Sequence, residues 1–134
     1  MKNKYLILAG ILNFLTFLLH LIGGQIDLVN PMLETKLEVE KSAQLVGAWQ
    51  MVSIILIATS CILLSAGFNK KFARNTELIS LIAYLNLAFC FPFILAGFYY
   101  QLFVPQWVLF LPIGILALMG VKKLKNMLKI GGID

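Results

Sequence analysis

Charge is missing from four long stretches of this chain, and that constrains its fold more than any other feature. Tyr5 to Gly24, Leu45 to Phe68, Leu78 to Tyr100 and Leu102 to Val121 contain no Asp, Glu, Lys or Arg. Each is about 20 residues or slightly more, which as a helix spans roughly 30 Å, the thickness of a bilayer's hydrocarbon core. Lipid supplies no hydrogen-bond partner for a peptide group, so stretches of this kind must be helices. The pattern predicts an all-α four-transmembrane-helix bundle, a single integral membrane domain over residues 1–134 with spans 5–24, 45–68, 78–100 and 102–121. Composition agrees: 60% of residues are hydrophobic and 13% charged, against roughly half and about a quarter in soluble domains.

The charges that remain set an orientation. Lys2 and Lys4 precede the first span, Lys70, Lys71 and Arg74 join the second to the third, and Lys122, Lys123, Lys125 and Lys129 follow the fourth. The other side holds Lys36 and Lys41 together with Asp27, Glu34, Glu38 and Glu40. Basic residues collect on the cytoplasmic side of membranes, so both termini are expected in the cytoplasm (N-in, C-in). The net charge of +5 reads as a topology signal, and no nucleic-acid partner is expected. A basic start followed by an apolar run also describes a secretory signal. Here the apolar run exceeds the usual length, and Ile22-Gly23-Gly24 is a poor cleavage site, so the first span is expected to stay.

Between the spans, Gly23-Gly24 is suited to ending a helix and to close backbone approach. Asn30-Pro31 then reads as an N-cap with proline at the first helical position. Leu33 and Leu37 fall on one face among Glu34, Lys36, Glu38, Glu40 and Lys41, which predicts a short amphipathic segment on the outer surface, with a solvated connector as the equal alternative. The short link 69–77 predicts that the second and third helices are antiparallel neighbours. A tighter outer turn near Tyr100-Gln101 precedes Pro105, which should open the fourth. Tyr99, Tyr100, Trp107 and Trp49 fall where aromatic belts form. Pro92 and Pro112 are expected to kink their helices. After Val121 the helix continues, with Leu124, Met127 and Leu128 on one face for resting on an anionic leaflet.

Several chemistries lack residues. Cys61 and Cys90 lie about 9 and 18 Å from the inner boundary, too far apart in depth for a disulfide; both are expected to be buried packing residues. No C-x-x-C occurs, one histidine cannot supply two haem ligands, and no Cys/His group has zinc-ligand spacing. Gly-rich phosphate loops, G-x-S-x-G and H-E-x-x-H are absent too. No charged residue lies inside a span, which removes most support for ion-coupled transport. No catalytic residue, metal ligand or cofactor is therefore assigned.

The polar residues left in the spans point to one place. His20 lies about 6 Å below the outer boundary and Gln50, beside Trp49, about 7.5 Å below it. Packed side by side, the first two helices would bring His20, Trp49 and Gln50 to one depth, with Gln25 and Asp27 just above. An outward-opening ligand pocket is the functional reading; interhelical hydrogen bonding is the structural one, and it weighs more. Asn13 and Asn86, near mid-depth, are expected to bond each other or a backbone carbonyl. Ser53, Thr59, Ser60, Ser65, Gly47 and Gly67 make the second helix the small-residue helix, suited to a central packing position.

His20-Leu-Ile-Gly-Gly at the end of the first helix, a Pro31-containing outer segment and Trp49-Gln50 early in the second resemble the small four-helix DoxX-like proteins. The resemblance covers the whole chain in topology. It implies a bacterial inner (plasma) membrane and transfers no catalytic residue. The leading expectation is a non-enzymatic accessory or interaction subunit in the lipid bilayer, with a membrane-protein partner or a second copy of itself. The alternative is a binding or redox-accessory protein holding a small lipophilic ligand such as a quinone. A small transporter or channel is third.

Overall fold

The computed structural model describes residues 2–35 and 37–130, without the side chains of 128–130. Its elements are α1 (Lys4–Leu33), α2 (Val39–Phe68), the short α3 (Lys70–Ala73), α4 (Thr76–Tyr100) and α5 (Trp107–Ile130). Among the described residues there is no strand. The four long helices are each long and apolar enough to cross a membrane, which is the architecture of a multi-pass membrane protein. They alternate in direction, so the starts of α1 and α4 and the ends of α2 and α5 share one end. That end carries most of the lysines and is called the basic end below.

The first helix does not stop at Gly23-Gly24. It continues to Leu33 through two wide turns, Leu19–Gly23 and Gln25–Val29, in which amides reach back five residues: Gly24 to the Leu19 carbonyl and Asn30 to that of Gln25. A glycine pair surrounded by Leu and Ile has no water to bond its backbone, so staying helical satisfies more peptide groups than breaking. Asn30 therefore caps nothing. Its backbone is helical, and its Oδ1 accepts from Gln25 Nε2 at 2.9 Å. The expected amphipathic segment is likewise replaced. Asn30–Leu33 is the end of α1, the chain turns after Leu33, and α2 begins at Val39. Leu33 and Leu37 are both exposed, and Lys36 lies outside the described residues.

Around the bundle, α1 packs against both α2 and α5, and α5 against α4, whereas α2 and α4 meet only marginally. The central position is thus shared by α1 and α5, each with two partners, and is not held by α2. The small residues of α2 (Ser53, Thr59, Ser60 and Gly67) are buried, but Gly47 has open space around it. The link between α2 and α4 contains α3, capped by Asn69 Oδ1 accepting from the Lys71 amide at 2.9 Å. Asn75 Oδ1 caps α4 through the Leu78 amide at 3.1 Å. Both are standard N-terminal side-chain caps. At the far end Gln101 adopts a left-handed conformation, φ 52°, and the Leu102 amide reaches the Gly97 carbonyl at 3.1 Å. That closes α4 as a Schellman-type cap without glycine at the left-handed position.

Two apolar clusters fill the interior. The one at the basic end joins Leu6, Leu63, Ile79, Ile82 and Ile113 with Leu124; the other joins Leu56, Cys90 and Phe110, with Phe17, Phe93 and Trp107 against them. Leu124 and Met127 therefore complete the core rather than lying on a leaflet; Leu128 and Lys129 are outside the described side chains. Both tryptophans turn inward in part, while Tyr99 and Tyr100 are exposed. Of the cysteines, Cys90 is buried as expected but Cys61 is exposed on the surface of α2. Asn3 ties the basic end together. Its amide donates to the Gly67 carbonyl and its Nδ2 to the Gly120 carbonyl, both at 2.9 Å. A Cβ on Gly67 would come within 2.6 Å of Ile7, and one on Gly120 within 2.4 Å of Leu6. In lipid, where apolar contact alone gives helices no reason to associate, such close approaches and interhelical hydrogen bonds hold a bundle together.

Candidate functional site

The seam between α1 and α2 gathers the polar residues of the apolar spans. Along α1, Asn13, Thr16 and His20 recur at three- and four-residue spacing, and so share the face that meets α2. Along α2, Trp49, Ser53, Leu56 and Thr59/Ser60 do the same. Asn13, Thr16, Ser53, Thr59 and Ser60 are all buried.

At the top of this seam His20 and Trp49 are in contact. Their rings stack with centroids 3.9 Å apart and planes 18° from parallel. His20 Nε2 lies 3.2 Å from the Trp49 carbonyl oxygen; only an N–H can satisfy that contact, so Nε2 carries the proton. The other neighbour of the indole is Gly24, where a Cβ would stand 2.3 Å from Trp49 Cζ2. The ring thus lies across α1, over residues one turn apart, and the absence of a side chain at Gly24 admits it.

Two groups on the α2 face of this seam are buried without a partner: Trp49 Nε1 and Ser53 Oγ. Thr16, Thr59, Ser60 and Ser80 each donate to the carbonyl four residues back. Ser53 does not. The carbonyl it would use is that of Trp49, which already faces His20. Hence the helix presents an indole N–H and a hydroxyl, one turn apart on one face, as uncommitted donors. A buried donor left without a partner costs about 1–3 kcal/mol, so an arrangement with two of them is one that a carbonyl-bearing molecule would relieve.

The other residues expected here are less engaged. Gln50 is half-buried beside Trp49, Asp27 is exposed, and Gln25 directs its amide to Asn30. His20 and Trp49 are thus brought together, whereas neither Gln25 nor Asp27 hydrogen-bonds to them. Ser53 was read from the sequence only as a small packing residue; the signal available was its position four residues after Trp49 on the same face.

A separate cavity of about 400 Å³ opens at the same end between α4 and α5, lined by Phe93, Gly97, Phe98, Phe103, Val104 and Trp107 among others. It is walled almost wholly by hydrocarbon. Among the described residues no three His, Cys, Asp or Glu side chains gather as a metal site. No protein-family model, no curated protein and no solved structure matches the chain, so the site is argued from its geometry alone.

Proposed function

We propose that this chain is a non-enzymatic multi-pass membrane protein that holds a small lipophilic ligand by a hydrogen-bond acceptor, such as a quinone carbonyl, at Trp49 and Ser53. The observation that carries this reading is the pair of buried, uncommitted donors, Trp49 Nε1 and Ser53 Oγ. His20 positions the indole by stacking on it and by occupying the carbonyl that Ser53 would otherwise use. The basic end faces the cytoplasm on this reading, because positive charge is retained there. The DoxX-like resemblance adds a bacterial inner membrane as the setting.

Native mass spectrometry of the protein released from its own membranes in mild detergent tests the proposal. The expected result is a bound small molecule on the wild type that is lost from Ser53→Ala and His20→Ala at unchanged helical content. A protein partner or second copy, with no small molecule and no effect of either substitution, replaces ligand holding by an accessory-subunit role.

A further inference from the structure

Midway along the bundle, at the junction of its two apolar clusters, two carboxamides are buried with their oxygens unfilled. Asn13 is 0% exposed and Asn86 2%. Asn13 Nδ2 donates to Thr59 Oγ1 at 2.7 Å. The hydroxyl proton of Thr59 goes to its own helix, at the Ile55 carbonyl 2.8 Å away. Thr59 can therefore only accept from Asn13, which fixes that amide with nitrogen toward α2. Asn86 Nδ2 donates to the Ile82 carbonyl at 2.9 Å. A carbonyl accepts only from nitrogen, so this amide is fixed as well. In both residues Oδ1 is left buried with no partner.

The two residues stand at similar heights on their helices. Asn13 is nine residues from the start of α1 and Asn86 ten from the start of α4, or about 14 and 15 Å along parallel helices. Each lies on its helix's buried stripe: Asn13 between Ala9 and Thr16, Asn86 between Ile82 and Cys90. These atoms only accept, so their complement is a donor, the opposite of what Trp49 and Ser53 require. It must also be uncharged, because no acidic side chain lies in the spans to neutralise a cation at a depth where charge is costly. The flank where α2 and α4 meet only marginally is the lateral route such a molecule would need.

We propose that Asn13 and Asn86 form a second, mid-depth binding position that takes the hydroxyl or N–H head of a neutral lipophile entering between α2 and α4. Its recognition differs from that of the outer donors and does not depend on them.

The test uses the full chain in phosphatidylcholine nanodiscs with two probes of matched length, 1-dodecanol and its methyl ether, each corrected for uptake by empty nanodiscs. The alcohol donates and the ether cannot. Wild type should bind the alcohol about three- to tenfold more tightly than the ether, the factor expected of one buried hydrogen bond. Asn86→Leu should bring that ratio near one while leaving quinone binding at Trp49 unchanged. Because the Asn86 side chain hydrogen-bonds only within its own helix, this variant keeps the interhelical hydrogen bonds. Asn13→Leu, which also loses Thr59, serves as a second reading alongside thermal unfolding. Equal binding of the two probes by wild type, or an alcohol preference that survives Asn86→Leu, overturns the proposal and leaves the oxygens to water. Loss of quinone binding in Ser53→Ala with the alcohol preference intact separates this position from the outer one.

Discussion

Substituting alanine at Gly23 and at Gly24 should have opposite effects, although the residues are adjacent in one helix. At Gly23 a Cβ meets nothing within 4 Å. Alanine there gains only helix propensity, up to about 1 kcal/mol. At Gly24 the same atom would stand 2.3 Å from Trp49 Cζ2 and 2.8 Å from Cη2. Carbon atoms settle at about 3.5 Å or more, so the indole must retreat by roughly 1.2 Å. A flat ring cannot fold out of the way, and its stack on His20 at 3.9 Å moves with it. Overpacking of this kind costs about 1–3 kcal/mol, and the propensity gain offsets about 1 kcal/mol of it. Gly24→Ala should therefore be destabilised by up to about 2 kcal/mol and Gly23→Ala stabilised by up to about 1 kcal/mol, a separation of about 1–3 kcal/mol. Propensity cancels in the difference between the two, which isolates the clash with Trp49. Reversible unfolding by SDS in mixed micelles, followed by tryptophan fluorescence, measures both. Equal stabilities for the two variants would refute the placement of Trp49 over Gly24, and with it the geometry of the outer site.

Three further outcomes are expected. Asn3→Leu removes the Nδ2 donor from the Gly120 carbonyl, which keeps its own helical bond, and should cost about 0.5–1.5 kcal/mol in the same unfolding assay. In bilayers a lipid-soluble maleimide should label the exposed Cys61 well before the buried Cys90; Cys61→Ser then leaves only the slow phase. Reporter fusions after Val121 should be active in the cytoplasm, and moving the charge of Lys70, Lys71 and Arg74 to the 34–41 link should disturb that orientation.

The spans could be read from the sequence because lipid imposes a single rule, absence of charge over a bilayer's thickness, and each charge-free stretch holds a helix, although the fourth helix opens at Trp107 and not at Pro105, leaving 102–106 as a turn. Counting residues inward from two span ends put His20 level with Gln50 and its neighbour Trp49; the stacking of His20 on Trp49 was not in the count. Helix boundaries were harder, because glycine and proline are read by their behaviour in water. Gly23-Gly24 and Asn30-Pro31 would break a soluble helix, yet here the helix absorbs both through wide turns. Neighbour relations were harder still. The small residues of α2 said that something approaches closely but not that α1 and α5 would share the centre, and a short link did not oblige α2 and α4 to pack. Asn13 and Asn86 were expected to bond each other or a backbone carbonyl. The backbone alternative holds: Asn86 donates to the Ile82 carbonyl of its own helix and Asn13 lies 3.4 Å from the Leu56 carbonyl, while the shorter Asn13 bond, to the Thr59 hydroxyl, was not anticipated. Nothing in the sequence marks Asn3, a lone polar residue between two lysines. Its partners are backbone carbonyls at Gly67 and Gly120, which no side-chain pattern announces.

The most direct test of the central claim uses Trp49 as its own reporter. With Trp107→Phe, Trp49 becomes the single tryptophan, and a decyl-substituted benzoquinone can be titrated into nanodiscs while its emission is followed. Occupancy beside the indole N–H predicts quenching that saturates, with the midpoint moved about three- to tenfold higher in Ser53→Ala. Quenching that rises in proportion to quinone, indifferent to Ser53 and equal to that of a free tryptophan ester in the same bilayer, would contradict it.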